Sequence, residues 1–95
     1  MEKTMVEETG ILLKVSSSSS AAKLAGAIAN NVYIGTEVTL RAVGAAAVNQ
    51  AMKSVAIAQS YVGPRGKVLY CRPGFTTVVM SDGDISAMTF KIIVN

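Results

Sequence analysis

Five consecutive serines, Ser16 to Ser20, with Lys23 close behind, form the densest run of chemistry-bearing side chains in the sequence. The next concentration is a set of bases. Between Val38 and Ser81 stand Arg41, Lys53, Arg65, Lys67 and Arg72, with no acid among them. Asp82 and Asp84 flank Gly83, and Cys71 is the single cysteine. There is no histidine. These types bound the chemistry. Without His there is no imidazole acid–base mechanism, and most metal sites lose their commonest ligand. One cysteine makes no internal disulfide. No nucleophile stands at a spacing that suggests activation by a base. No phosphate-loop or dinucleotide-binding pattern is present. The chain therefore reads as a binding or assembly module, not an enzyme, with no cofactor, no metal and no small-molecule substrate.

What the residues can do is hold anions. The serine hydroxyls and helix-start N–H groups, with Lys23, suit an anion site; a capping turn rich in small polar residues is the stronger alternative. Gly44 to Asn49, with Lys53 one turn on, suits a nucleic-acid backbone. It equally suits a tight turn whose Asn49 and Gln50 are solvated or meet a partner subunit. Lys14, Arg41, Arg72 and Lys91 can form one row on a sheet face, to hold a polyanion or, the preferred reading, to keep that face soluble. The whole set of candidate nucleic-acid contacts is Ser18, Lys23, Arg41, Asn49, Lys53, Arg65, Lys67 and Arg72. Cys71 lies among apolar residues and reads as a small core side chain. Asp82 and Asp84 read as turn chemistry, since a cation needs more ligands.

The charge balance agrees. The net charge is +3, yet Glu2, Glu7 and Glu8 all fall in the first ten residues. The remainder is more basic than the total suggests, which suits either ordinary solvated charge or a positive side of the fold that holds phosphate backbones.

The elements that must position these residues follow from periodicity. Hydrophobic residues make up 51% of the 95 residues, enough for one domain with a core. Residues 1–10 read as a flexible acidic arm, and 11–95 as the domain. Ile11–Val15 is a short strand. Ser20 caps a helix from Ala21 to about Asn31. Thr36–Val43 alternates apolar and polar, as a half-buried strand does. Ala45–Val62 is a helix whose stripe reads Val48, Ala51 or Met52, Val55, Ala58 or Gln59, and Val62. Ile57 falls among its polar positions, which marks it as a candidate oligomer contact. Gly63–Gly66 is a turn. Lys67–Met80 is a long strand expected to break near Pro73-Gly74. Asp82-Gly83 signals a hairpin, and Ile85–Val94 is the returning strand. The order βαβαββ predicts an α/β (α+β) two-layer sandwich, with both helices on one face of a mixed sheet. No apolar stretch approaches a membrane span, and residues 1–10 lack a signal-peptide pattern, so a cytoplasmic location is expected.

Three segments resemble a known family. Lys14-Val15-Ser16-Ser17-Ser18 with Leu24-Ala25-Gly26-Ala27-Ile28 is similar to the first strand and helix of the stage V sporulation protein S family. The segment from Ala42 to Ala58 is the second, and its string Ala42-x-Gly44-x-x-Ala47-x-Asn49-Gln50-Ala51 is the most specific piece. Pro73-Gly74-Phe75-Thr76, leading to the Asp-Gly hairpin, is the third. The resemblance runs from about Leu13 to Val94. It implies a bacterial sporulation role and an Alba-like fold, with the strands in the order first, second, fourth, third. Alba-like proteins are typically dimers that bind DNA or RNA. The expected partners are therefore a nucleic acid and further copies of this chain, as a homodimer or higher homo-oligomer. The family's contact regions fall here at Ser16–Lys23, Arg41–Lys53 and Arg72–Ala87. This sequence departs from the Alba pattern there. Serine replaces lysine in the first loop, Val43 and Ala45 flank Gly44 in place of bases, and the hairpin has no base between Phe75 and Phe90. A structural or regulatory self-association module is the competing expectation.

Overall fold

The computed structural model describes residues 5–6 and 10–95. Among these residues two α-helices and five strands follow one another as β1 (Met5–Val6), β2 (Gly10–Val15), α1 (Ala21–Tyr33), β3 (Glu37–Ala42), α2 (Ala45–Val62), β4 (Leu69–Met80) and β5 (Gly83–Val94), with a single 3-10 turn, Gly63–Arg65, after α2. The sheet order is β1-β2-β3-β5-β4. The four long strands thus stand in the order the resemblance implied. β2 and β3 are parallel, and β5 runs antiparallel to both β3 and β4. β1 adds a two-residue antiparallel edge to β2. The remainder of the expected acidic arm, residues 1–4 and 7–9, lies outside the described residues.

Alternation puts one set of side chains under the helices. Val15, Val38, Leu40, Ala42, Phe90 and Ile92 are buried on the sheet. Ala25, Ile28, Ala29 and Val32 of α1 and Ala47, Ala51, Ala58 and Val62 of α2 complete the core. Both helices cover this face, and they approach each other more closely than they approach the sheet. No helix among the described residues is long and apolar enough to cross a membrane.

Close approach is enforced at Gly10. A β-carbon there would lie 2.6 Å from the carbonyl oxygen of Glu37, so β2 and β3 pair at this point only without a side chain.

Five sequence expectations change, the last of them at the hairpin turn. α1 continues two residues past Asn31, because Val32 completes the buried stripe; the Asn31 side-chain amide donates back to the Ala27 carbonyl (2.8 Å) instead of capping the helix end. The buried stripe of α2 is Ala47, Ala51, Ser54, Ala58 and Val62; Val48 and Val55 sit beside it, half-buried. Small side chains take the seam because the helix pair is close. Even Ser54 is fully buried, its hydroxyl donating to the Ala51 carbonyl (2.6 Å). Ile57, expected among polar positions, packs partly against the core. β4 does not break at Pro73-Gly74. Its pairing with β5 is continuous from Leu69↔Val94 to Met80↔Gly83. β4 is an edge strand, where a missing proline N–H costs no ladder bond if it faces outward.

The hairpin turn is Ser81-Asp82, one residue earlier than the Asp-Gly pair suggested. β3 pairs with β5 only from Met88 to Lys91. Between Gly83 and Ala87, β5 therefore has β4 as its strand neighbour, and the ribbon projects as an arm whose root on β4 is Phe75, opposite Met88. The molecule measures 45 × 28 × 25 Å.

Candidate functional site

The candidate contacts fall in three places. The first is the end of the fold where α1 and α2 begin. Here the serine loop folds on itself. The Ser16 N–H donates to the Ser19 hydroxyl (2.9 Å), the Ser18 N–H reaches the Ser16 hydroxyl (3.3 Å), and the Ser16 hydroxyl lies 3.1 and 3.2 Å from those of Ser18 and Ser19. Ser20 caps α1 by accepting from the Lys23 N–H (3.2 Å), as expected. The Gln50 amide donates to the Ser19 carbonyl (2.8 Å) and ties the loop to α2. Ser18, Lys23, Asn49 and Lys53 are exposed near this junction. α2 opens on Gly44 at φ 89° and ψ 158°, with no side-chain cap. That backbone is essentially restricted to glycine. The loop's hydroxyls are thus engaged in shaping the turn, and the cations are the groups left facing outward.

The second place is the sheet face away from the helices. Register fixes it. Lys14 is opposite Arg41, and Arg72 is opposite Lys91. Arg41 faces Thr89, and Lys91 faces Thr39, so the two cationic pairs lie diagonally across β2, β3, β5 and β4. All four side chains share the alternation phase opposite to Val38, Leu40, Phe90 and Ile92, so they project from the helix-free face. Like charges directly opposite across strands are unfavourable. The ion pair of Lys91 with Glu37 (3.6 Å) offsets part of that cost. Tyr70, two residues before Arg72 on the same face, is 53% exposed. Sequence reading missed Tyr70 as a functional candidate. The same period of two that aligned Arg72 could have found it.

The third place is the opposite end, at the foot of the sheet. Arg65 lies over the Tyr33 ring, 4.4 Å from its centre, and the Tyr33 hydroxyl donates to the Tyr61 carbonyl (3.1 Å). The Gln59 side chain holds the following loop, donating to the Lys67 carbonyl (3.0 Å) and accepting from the Leu69 N–H (2.7 Å). Lys67, Arg72 and Lys91 there line a cleft of about 470 Å³ with Val32, Val38 and Ile92 among its walls. Nothing in the spacing of positions 67, 72 and 91 announces that convergence; the sheet order creates it. Arg65 is exposed and engaged on the Tyr33 ring, outside the cleft, whereas Lys67 joins it.

Cys71 is half-buried on the helix-facing side of β4, and burial pushes its thiol pKa up. A raised pKa lowers the thiolate fraction, so this is not an activated nucleophile.

A family model, Stage V sporulation protein S (SpoVS), matches residues 11–95. The chain belongs to the stage V sporulation protein S family. Among solved structures, Alba from Thermoplasma volcanium is similar to this family member with a TM-score of 0.60 and 13% sequence identity. The superposition covers 88% of this chain and 98% of that one. The likeness at that identity is one of fold, and it agrees with the Alba-like architecture expected from the sequence.

Proposed function

We propose that this protein binds nucleic acid, through backbone contacts with little sequence specificity, on the helix-free face of its sheet. The observation that carries the reading is the register placing Lys14, Arg41, Lys91 and Arg72 together across four strands. Phosphate contacts supply most non-specific affinity, and cations on a rigid sheet are positioned for them. Tyr70, on the same face, offers a ring on which an unpaired base can stack. This favours single strands over a duplex on that surface. Lys23, Asn49 and Lys53, at the helix-start end, form a separate and weaker surface. The protein works in this reading without catalysis, without a cofactor, as a dimer in the cytoplasm, in the sporulation setting of its family.

A second reading has its own support. The arm exposes Phe75 (80%) and Val79 (79%), and large exposed apolar side chains mark contact surfaces. In that reading self-association is the function, and nucleic acid plays no part.

Binding of single-stranded DNA, RNA and duplex DNA at low and near-physiological salt separates the two. The nucleic-acid reading expects a complex that weakens with salt, and an Arg72→Glu variant with a salt slope smaller by about one or more. Tyr70→Ala is expected to weaken single-strand binding by about 1–3 kcal/mol and duplex binding less. Absence of any complex at low salt overturns the reading.

A further inference from the structure

Charge is unevenly spread along the molecule. Among the described residues the acids are Glu37, Asp82 and Asp84. Glu37 is engaged with Lys91 at the rim of the basal cleft. Asp82 and Asp84 stand exposed at the tip of the arm, with Val79, Met80 and Ile85 exposed around them. The tip is thus a pair of carboxylates on an apolar collar. The cleft is the converse, with Lys67, Arg72 and Lys91 around walls that include Val32, Val38 and Ile92.

The two cannot meet within one chain. The cleft borders β5 at Lys91–Val94, and the turn lies at its other end, before Gly83. Nine residue steps of paired strand take the chain from Gly83 to Ile92, roughly 30 Å at the rise of an extended chain. Continuous pairing with β4 leaves no hinge to fold the tip back.

We propose that the arm tip of one copy docks into the basal cleft of the next. Asp82 and Asp84 meet Lys67, Arg72 and Lys91, while Met80 and Ile85 cover the apolar wall. Tip and cleft are different surfaces, so the contact is heterologous. Repetition gives a ring if the rotation closes and a filament if it does not. The charged contact sets register and specificity and weakens with salt. It also competes with a polyanion for Arg72 and Lys91, so free protein and nucleic-acid-bound protein differ in assembly.

The test uses the full chain without nucleic acid, so its outcome is independent of the binding reading. Weight-average mass is followed by sedimentation against protein concentration, at low and high salt. Two double variants reverse the charges: Asp82→Lys with Asp84→Lys at the tip, and Lys67→Glu with Arg72→Glu at the cleft. Lys91 is left in place to keep its ion pair with Glu37. Far-UV circular dichroism confirms that both fold. The wild type is expected to grow beyond a dimer with concentration at low salt. Each variant alone is expected to associate about tenfold more weakly or worse. An equimolar mixture is expected to recover assembly, since each variant then offers what the other lacks. A wild type that stays the same size at all concentrations overturns the proposal. So do folded variants that assemble like wild type, or a mixture that does not recover. Inorganic pyrophosphate binding that is lost in the cleft variant, with no assembly by the wild type, overturns it in favour of a small-anion pocket.

Discussion

β4 and β5 belong to two different environments along their length. In the body, β5 sends Phe90 and Ile92 into the core, beneath two helices. In the arm, the same face of β5 carries Ser86 and Asp84, and Phe75 and Val79 of β4 are left uncovered. One ladder of hydrogen bonds runs through both. The pairing of β4 with β5 thus runs unchanged from body to arm, whereas the pairing of β5 with β3 and the apolar burial stop with the body. A two-stranded ribbon is at best marginally stable alone, so the arm borrows its order from the body. Stability resides where the helices are, and the most exposed large apolar side chains of the β4–β5 ribbon, Phe75 and Val79, stand beyond them.

The largest effect that can test this contrast is a cavity. Leu40→Ala, at a fully buried body position, is expected to cost about 2–5 kcal/mol in denaturant unfolding. Phe75→Ala, which removes a larger side chain from the arm, is expected to stay within about 0.5 kcal/mol at concentrations where the chain is monomeric. Equal costs would break the contrast. A smaller effect shows that exposure alone is not the rule. Gly44 is exposed, yet Gly44→Ala is expected to cost about 1–3 kcal/mol because φ 89° with ψ 158° suits no other residue. The smallest effect concerns reactivity rather than stability. Cys71, in the body, has a raised thiol pKa from burial. It is expected to react with an exposed-thiol reagent at pH 8 more slowly than a Thr77→Cys thiol in a Cys71→Ser background. Both positions share one face of β4, so equal rates would show that the helices do not shield it.

Much of this architecture was written locally. Gly44 and Gly63 bracket α2, Ser20 announces α1, and alternation from Glu37 to Ala42 marks β3. Each is a backbone or capping effect contained within a few residues. The rest depended on partners. Val48 and Val55 are better hydrophobes than Ala47 and Ser54, yet helix–helix distance, which no single helix encodes, gave the seam to the small side chains. Pro73 breaks a strand by its own chemistry, but not at a sheet edge, and the edge is a property of topology. The candidate site divides in the same way. The row of Lys14, Arg41, Arg72 and Lys91 was legible once the strand order was known, because alternation alone then fixes the face. The meeting of Lys67, Arg72 and Lys91 at the cleft was not, because it joins the loop before β4 to the far end of β5.

The alanine-lined core has a thermodynamic consequence. Ala25, Ala29, Ala42, Ala47, Ala51 and Ala58 are all buried. Burying an alanine freezes no side-chain rotamer, whereas a leucine or isoleucine gives up about 0.5–1 kcal/mol of rotational freedom. This core therefore gains less from dehydration per residue and also loses less in disorder. The rotamer cost of this core is thus concentrated in a few larger side chains, chiefly Ile28, Leu40, Phe90 and Ile92.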